Sequence, residues 1–228
     1  MSREIRDSIY AHLLPDSPAV LAHITQHACN CDICIRGNDF LKKFVQPPEH
    51  LLKATYVTPD SSKELLEKWY RTSTFDLREH FAKIGAFRTM DAGNFGIIPA
   101  GYILDISMYI PLSAYDFKGI VAPPHAEQLV KSHRRLLADL EALFGFRSGT
   151  KIVLHMAVER AFLPGTQGNE ELECEAVVPV ILPTMRRLAA AGTKVKLCLE
   201  DDGRELFIEN GDVTLEDVKE QFEKVKRR

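Results

Sequence analysis

Two histidines and three of the five cysteines fall within twelve residues, in the stretch HITQHACNCDIC that runs from His23 to Cys34. Cys31 and Cys34 are separated by two residues, the spacing that lets two thiolates of one turn bind the same zinc ion. A structural zinc site takes four nitrogen or sulfur ligands. The stretch offers one such set, and our candidate metal ligands are His27, Cys29, Cys31 and Cys34.

The clustering of these ligands also counts against a zinc site. Structural zinc sites usually join two separated segments, and here every candidate lies in a single short stretch. Beside the three cysteines such a site needs a fourth ligand, which has to be His27 or one of His23, His50, Cys174 and Cys198. We favour a loop with no special chemistry, and a zinc site and a redox-active thiol pair remain as alternatives.

One other residue has a type and position that could do chemistry. His155 lies in the apolar run KIVLHMAV with Glu159 four residues further on, which could be imagined as an acid and base pair. No nucleophile motif of the Gly-x-Ser-x-Gly kind accompanies it, and GFRSGTK has the wrong spacing for a phosphate loop. We therefore expect a buried histidine that hydrogen-bonds a neighbour. We favour a protein that is not an enzyme, and an enzyme remains as an alternative.

Composition and charge limit the class of protein. With 228 residues and 45% apolar content the chain is long enough to form a packed core. The 29 basic residues against 32 acidic ones give a net charge of −3, so we expect no nucleic-acid partner. The longest apolar run, 176–185, is too short to cross a bilayer and the first residues do not form a signal peptide, so we expect an intracellular protein without a membrane partner, cytoplasmic or nuclear.

The first hundred residues are predicted to be mainly helical. The segment SREIRDSIYAHLLP has an amphipathic pattern that ends at Pro15, and DSPAVLAHITQHA predicts a second short helix from Ser17 to Ala28. Ser61 and Glu64 form a capping box that predicts a helix from about 62 to 70. A β-prone stretch at Phe75 follows, and then a helix from about 76 towards 85.

From residue 102 the patterns alternate between strand and helix. Strict alternation predicts a strand over 102–112, and a helix follows that ends at Gly145. KIVLHMAV predicts an internal strand, and the next helix contains Pro179 and Pro183. A hairpin and a last helix capped by Thr214 and Asp217 complete the chain.

These elements predict an α+β fold with a helical N-terminal part followed by a small mixed sheet with packed helices. We divide the chain into a helical region, 1–85, and an α+β region, 100–228, and expect the two to pack together as one unit.

The opening helix resembles that of fungal F-box-like proteins, whose pattern is Leu-Pro-x-Glu-Ile/Leu-Arg-x-x-Ile-Tyr-x-x-Leu-Leu. Met1 and Ser2 stand where that pattern has Leu-Pro. The residues that match it are Glu4, Ile5, Arg6, Ile9, Tyr10, Leu13 and Leu14.

A second signature of the same family is a helix with acidic and aromatic residues that runs into Tyr-x-x-Asn/Ser-Thr-Phe. The segment ATYVTPDSSKELLEKWYRTSTFDL is similar to it, with matches at Glu64, Glu67, Tyr70, Ser73, Thr74 and Phe75. The resemblance implies an adaptor that binds the Skp-type linker of a cullin ubiquitin ligase through its first helices. The strand that follows, YILDISMYIPL, is also similar in position, so the resemblance covers about the first 112 residues.

The apolar stripe of the first helix has two interpretations. Such a stripe usually packs against the chain's own helices, and the alternative is that it docks on a partner. Under the second interpretation the partner-binding residues are Ile5, Ile9, Tyr10 and Leu13. Our functional prediction is a non-enzymatic protein-interaction module of this F-box-like kind, and the alternative is a small zinc-binding protein that uses Cys29, Cys31 and Cys34.

Overall fold

Nine ranges of the chain are described by the structure, a computed structural model. They are 3–13, 19–20, 58–77, 81–91, 94–111, 115, 126–157, 169–201 and 204–226. Four of the predicted zinc-site residues, His27, Cys29, Cys31 and Cys34, lie outside these ranges.

The helices begin with α1 (Arg3–Leu13), α2 (Pro59–Thr72) and the short α3 (Ile84–Thr89), which extends a 3₁₀ turn at Phe81–Lys83. Further along the chain are α4 (Ala126–Glu141), α5 (Asn169–Ala190) and α6 (Leu215–Lys226). Two more 3₁₀ turns lie at Pro99–Gly101 and Ala142–Gly145. The strands are β1 (Ala19–Val20), β2 (Thr74–Asp76), β3 (Asp105–Tyr109), β4 (Lys151–Ala157), β5 (Lys194–Asp201) and β6 (Arg204–Glu209).

Within the described ranges the six strands form one sheet, and neighbouring strands follow one another in chain order. β1 to β5 are parallel and β6 is antiparallel to β5, so the sheet is mixed. Right-handed crossovers between parallel strands that are added in one direction place the connecting helices on the same face of the sheet. The predicted α+β fold, a mixed sheet with packed helices, is confirmed.

One face of the sheet is apolar and packs against the helices. Ile106 and Met108 of β3, Leu154 of β4 and Leu197 of β5 are fully buried, and they belong to one core with Leu140 of α4 and Ile181 of α5. Tyr10 of α1 and Val218 of α6 are part of the same core. The opposite face carries polar residues at the alternate positions of the same strands, because successive side chains of a strand point to opposite faces.

Three local predictions were wrong in their details. Ala19 and Val20 form a strand that pairs with β2, where the sequence predicted a helix; the edge of β2 and the β-branched Val20 favour extended backbone, and the rest of that segment lies outside the described residues. α2 begins earlier than predicted, at Pro59, with Thr58 as its N-cap. α3 starts later than predicted and continues past Gly85 to Thr89.

The capping box predicted for the last helix is confirmed. The Asp217 backbone N–H donates to Thr214 Oγ1 over 3.2 Å, and the Thr214 N–H donates to Asp217 Oδ2 over 2.9 Å. The Thr214 N–H and the Thr214 hydroxyl, which donates to the same Asp217 oxygen over 2.8 Å, hold the pKa of the Asp217 carboxyl below its usual value. The hairpin of β5 and β6 and the internal position of β4 are confirmed as well.

Candidate functional site

Four polar side chains meet on the polar face of the sheet, where β3, β4 and β5 end. Tyr109 of β3 pairs in register with His155 of β4, and His155 pairs with Cys198 of β5. Glu200 lies two residues beyond Cys198 and so projects from the same face. We call these four residues, Tyr109, His155, Cys198 and Glu200, the sheet-edge cluster. In parallel sheets, the carboxyl ends of the strands are where ligand sites commonly form.

The carboxylate of Glu200 links the other members of the sheet-edge cluster. His155 Nδ1 lies 2.6 Å from Glu200 Oε1, and the Tyr109 hydroxyl donates to Glu200 Oε2. The rings of Tyr109 and His155 stack with their centroids 5.0 Å apart and an angle of 16° between the planes. Both oxygens of one carboxylate are therefore bonded, and the imidazole is held in orientation from two sides.

Cys198 is the least accessible member of the sheet-edge cluster. Its side chain is fully buried, and its Sγ lies 3.9 Å from Glu200 Oε1. Burial raises the pKa of the Cys198 thiol to about 12, and the charges of Glu205 and Glu200 act in the same direction. The neutral thiol consequently persists far above physiological pH, and Cys198 is not a ready nucleophile.

The sheet-edge cluster can act as a set of metal ligands. One donor atom each from His155, Cys198 and Glu200 lies within 4.8 Å of the other two, and among the described residues no other group of three such side chains meets this distance. Imidazole nitrogen, thiolate sulfur and carboxylate oxygen are the donor atoms that zinc takes in proteins. The same arrangement can also hold a proton between the imidazole and the carboxylate.

The structure describes only some of the residues that the sequence offered as a further metal ligand. Of the residues considered as a further ligand, His23 and His50 lie outside the described ranges, and Cys174 belongs to α5 but its side chain lies outside them. Cys198 is described, and its ligand-type neighbours are His155 and Glu200.

His155 hydrogen-bonds a neighbour, Glu200, as the sequence predicted, but its side chain is half-buried where the sequence predicted a buried one. The acidic residue considered from the sequence, Glu159, lies outside the described residues. Sequence reasoning missed Glu200, although the alternation in KLCLE does put Cys198 and Glu200 on one face of a strand.

A second feature is the outer face of α1. Ile5 and Ile9 are 54% and 41% exposed, and they lie four residues apart on one face of the helix. We call this pair the α1 surface. Leu13 belongs to α1, but its side chain lies outside the described residues.

Tyr10 of α1 is buried, in contrast to Ile5 and Ile9. Its side chain is only 6% exposed, and its hydroxyl donates to Glu64 Oε2 of α2 over 3.3 Å. Arg6 Nε and Nη2 donate to the two oxygens of the same carboxylate over 2.9 and 3.1 Å. These contacts join α1 to α2 and fix which face of α1 points outward.

No family model matches the chain, and neither a curated protein nor a solved structure matches it. Among the described residues, no helix has the length and apolarity that crossing a membrane requires.

Proposed function

We propose that the protein is a non-enzymatic interaction module that docks on a Skp-type linker through the α1 surface, as an F-box-like adaptor of a cullin ubiquitin ligase would. The observation that carries the proposal is the exposure of Ile5 and Ile9 on a helix whose opposite side is anchored. Two large aliphatic side chains four residues apart are the usual anchors of a helix that packs against a partner helix.

The free energy available at the α1 surface supports a docking role. Complete burial of an isoleucine side chain is worth about 1.5 to 3 kcal/mol, and roughly half of each side chain is exposed in this structure. Covering both would contribute on the order of 2 kcal/mol, enough to change a dissociation constant more than tenfold. This free energy is of the size expected for a pair of side chains that anchor an interface.

The contact between α1 and α2 also supports the proposal. Arg6 and Tyr10 belong to the segment that resembles the first F-box-like signature, and Glu64 belongs to the segment that resembles the second. Because the two segments bond to each other directly, α1 is presented on a support instead of being a loose terminal helix. A preorganised helix loses less conformational entropy when it binds.

An adaptor needs a second surface for the protein it recruits, and α4 is our candidate. Val130 and Leu137 are exposed and lie seven residues apart, on one side of that helix. Glu127, Lys131 and Arg134 surround Val130 and line a shallow cavity of about 380 Å³. This mixture of an apolar centre and a charged rim is typical of protein interfaces.

Binding of the full-length chain to a purified Skp-type linker, measured by isothermal titration calorimetry, tests the proposal. We expect a complex of one to one stoichiometry that weakens at least tenfold in Ile5→Asp and in Ile9→Asp, because each substitution puts a charge into the apolar contact. Both positions are exposed, so the free energy of unfolding should change by no more than about 0.5 kcal/mol.

Val130→Asp is the matched control, since it puts the same charge on an equally exposed aliphatic residue of α4. It should leave the affinity for the linker unchanged. Absence of a complex with the parent chain would refute the proposal, and so would equal weakening by Val130→Asp and Ile9→Asp.

A further inference from the structure

The sheet-edge cluster brings together donors of three kinds from adjacent strands. We propose that His155, Cys198 and Glu200 bind one zinc-type divalent ion through Nδ1, Sγ and a carboxylate oxygen. The proposal goes beyond the proposed docking function and does not depend on it, since it uses no residue of α1 or α2. None of the three proposed ligands belongs to the cysteine-rich stretch 29–34.

The distances in the sheet-edge cluster suit a tetrahedral ion after one small movement. Ligand bonds of about 2.0 to 2.3 Å place neighbouring donor atoms about 3.3 to 3.8 Å apart around the metal. The separation between Cys198 Sγ and Glu200 Oε1, 3.9 Å, is already close to this range. His155 Nδ1 and Glu200 Oε1, at 2.6 Å, have to move apart by about 1 Å. The ion would thus take the place of the proton that these two atoms share.

Charge balance favours a dication at this position. When the ion binds, the Cys198 thiol loses its proton, Glu200 is a carboxylate, and His155 is a neutral imidazole. Two negative charges then face the two positive charges of the metal. A thiolate and an imidazole suit zinc and cobalt better than magnesium or calcium, which prefer oxygen ligands.

Tyr109 has a supporting part in this site. Its hydroxyl bonds the second oxygen of Glu200, and its ring stacks on His155, so it orients two of the three ligands. Contacts of this kind around metal ligands are worth about 10- to 100-fold in affinity. Three protein ligands leave the fourth tetrahedral position to water or to a small ligand.

Metal content and cobalt spectra of the full-length chain test the proposal. The protein is stripped with a chelator and titrated with Zn²⁺ or Co²⁺ in a background in which Cys29, Cys31 and Cys34 are replaced by serine. We expect one ion per chain and a sulfur-to-cobalt charge-transfer band. Cys198→Ser should abolish the band, and His155→Gln should weaken binding at least tenfold.

The matched control is Cys174→Ser, which removes another cysteine from the same background and should change neither the stoichiometry nor the spectrum. Tyr109→Phe should keep one ion but bind it about tenfold more weakly. The proposal is overturned if the background protein takes up no ion, or if binding survives both Cys198→Ser and His155→Gln. It is also overturned if Cys174→Ser has the effect expected of Cys198→Ser.

X-ray absorption at the zinc edge gives a reading that needs no substitution at the site. The background protein should show one sulfur and two or three nitrogen or oxygen neighbours. A shell with no sulfur would contradict the proposal even if the Cys198 and His155 variants failed to fold.

Discussion

The α1 surface and the sheet-edge cluster are built in opposite ways. Ile5 and Ile9 are apolar and exposed, on a helix held to its neighbour mainly through one carboxylate. His155 and Glu200 are polar and half-buried, and they lie on strands that pair over five to seven residues. Rigid strands can hold ligand atoms at fixed distances, whereas an exposed helical face offers area to a partner. The difference suits the proposed binding of a protein at one region and the proposed binding of an ion at the other.

The elements that carry the two regions nevertheless belong to one core, in which Phe75 links α2, the helix that supports α1, to the sheet. It lies on β2, which pairs with β3 of the sheet. Its ring contacts Trp69 and Tyr70 of α2 at centroid distances of 5.1 and 5.7 Å, and Phe87 of α3 at 5.6 Å. A substitution at Phe75 should therefore destabilise both the N-terminal helices and the sheet.

The largest effect that we predict is for Phe75→Ala. Removing a fully buried ring should lower the free energy of unfolding by about 3 to 5 kcal/mol, because the lost burial and the remaining cavity add. Urea unfolding followed by Trp69 fluorescence and by far-ultraviolet circular dichroism should give one coincident transition. Two separate transitions in the parent chain would show that the N-terminal helices and the sheet unfold independently, and the comparison of two regions on one core would fail.

The second-largest effect that we predict is a loss of stability at alkaline pH, which arises from Cys198 of the sheet-edge cluster. The folded state holds the pKa of the Cys198 thiol at about 12, above its ordinary value of 9.0, so the native protein binds this proton more tightly than the unfolded chain does. Stability from this group is fully present below pH 9.0 and is lost as pH rises towards 12. By about pH 10 the loss should be on the order of 1 kcal/mol.

Cys198→Ala removes the contribution of the thiol to this pH dependence. In the presence of a chelator, the parent chain should lose stability more steeply than Cys198→Ala above pH 9.0, as measured by denaturant midpoints. Burial also raises the pKa values of Tyr70 and Tyr115, so both proteins will lose some stability in this range. Only the difference between the two curves reports on Cys198, and parallel curves would mean that the thiol has an ordinary pKa.

Local patterns predicted the elements better than the site. The bonds between Thr214 and Asp217 lie within four residues, so the sequence contains everything that is needed to predict them. Thr58 was missed as the cap of α2 because Ser61 and Glu64 formed a competing pattern, although Pro59 at the first helical position was a usable signal. The Glu64 carboxylate instead accepts a hydrogen bond from Arg6, which is 58 positions away in the sequence, and no local pattern contains such a contact.

The bond between His155 and Glu200 illustrates why the site could not be derived. Glu159 is near His155 in the sequence, yet residues four apart on an extended strand are about 13 Å from each other. Glu200 is 45 positions away, and only the parallel pairing of β4 with β5 brings it within reach. Alternation identifies the face on which a side chain lies, but the order and register of the strands decide which faces meet.

The smallest effect that we predict lies at the anchor of α1, and it is local. Glu64→Gln keeps the shape of the side chain but removes the charge that accepts two bonds from Arg6 and one from Tyr10. Because the pair is partly exposed, the free energy of unfolding should fall by only about 0.5 to 1 kcal/mol. Amide hydrogen exchange of α1 should rise several-fold while that of β4 stays unchanged, since local opening costs less than global unfolding.

The matched control for Glu64→Gln is Glu141→Gln, which removes a similarly exposed pair with Arg187 between α4 and α5 and should leave exchange in α1 unaltered. High salt should reduce the difference between the parent chain and Glu64→Gln, because exposed charges are screened. If α1 exchanges equally fast in both, its orientation does not depend on Glu64. Of the contacts described for α1, the burial of Tyr10 would then matter more than the bonds to Glu64, and the α1 surface would be less preorganised for a partner than the sheet-edge cluster is for an ion.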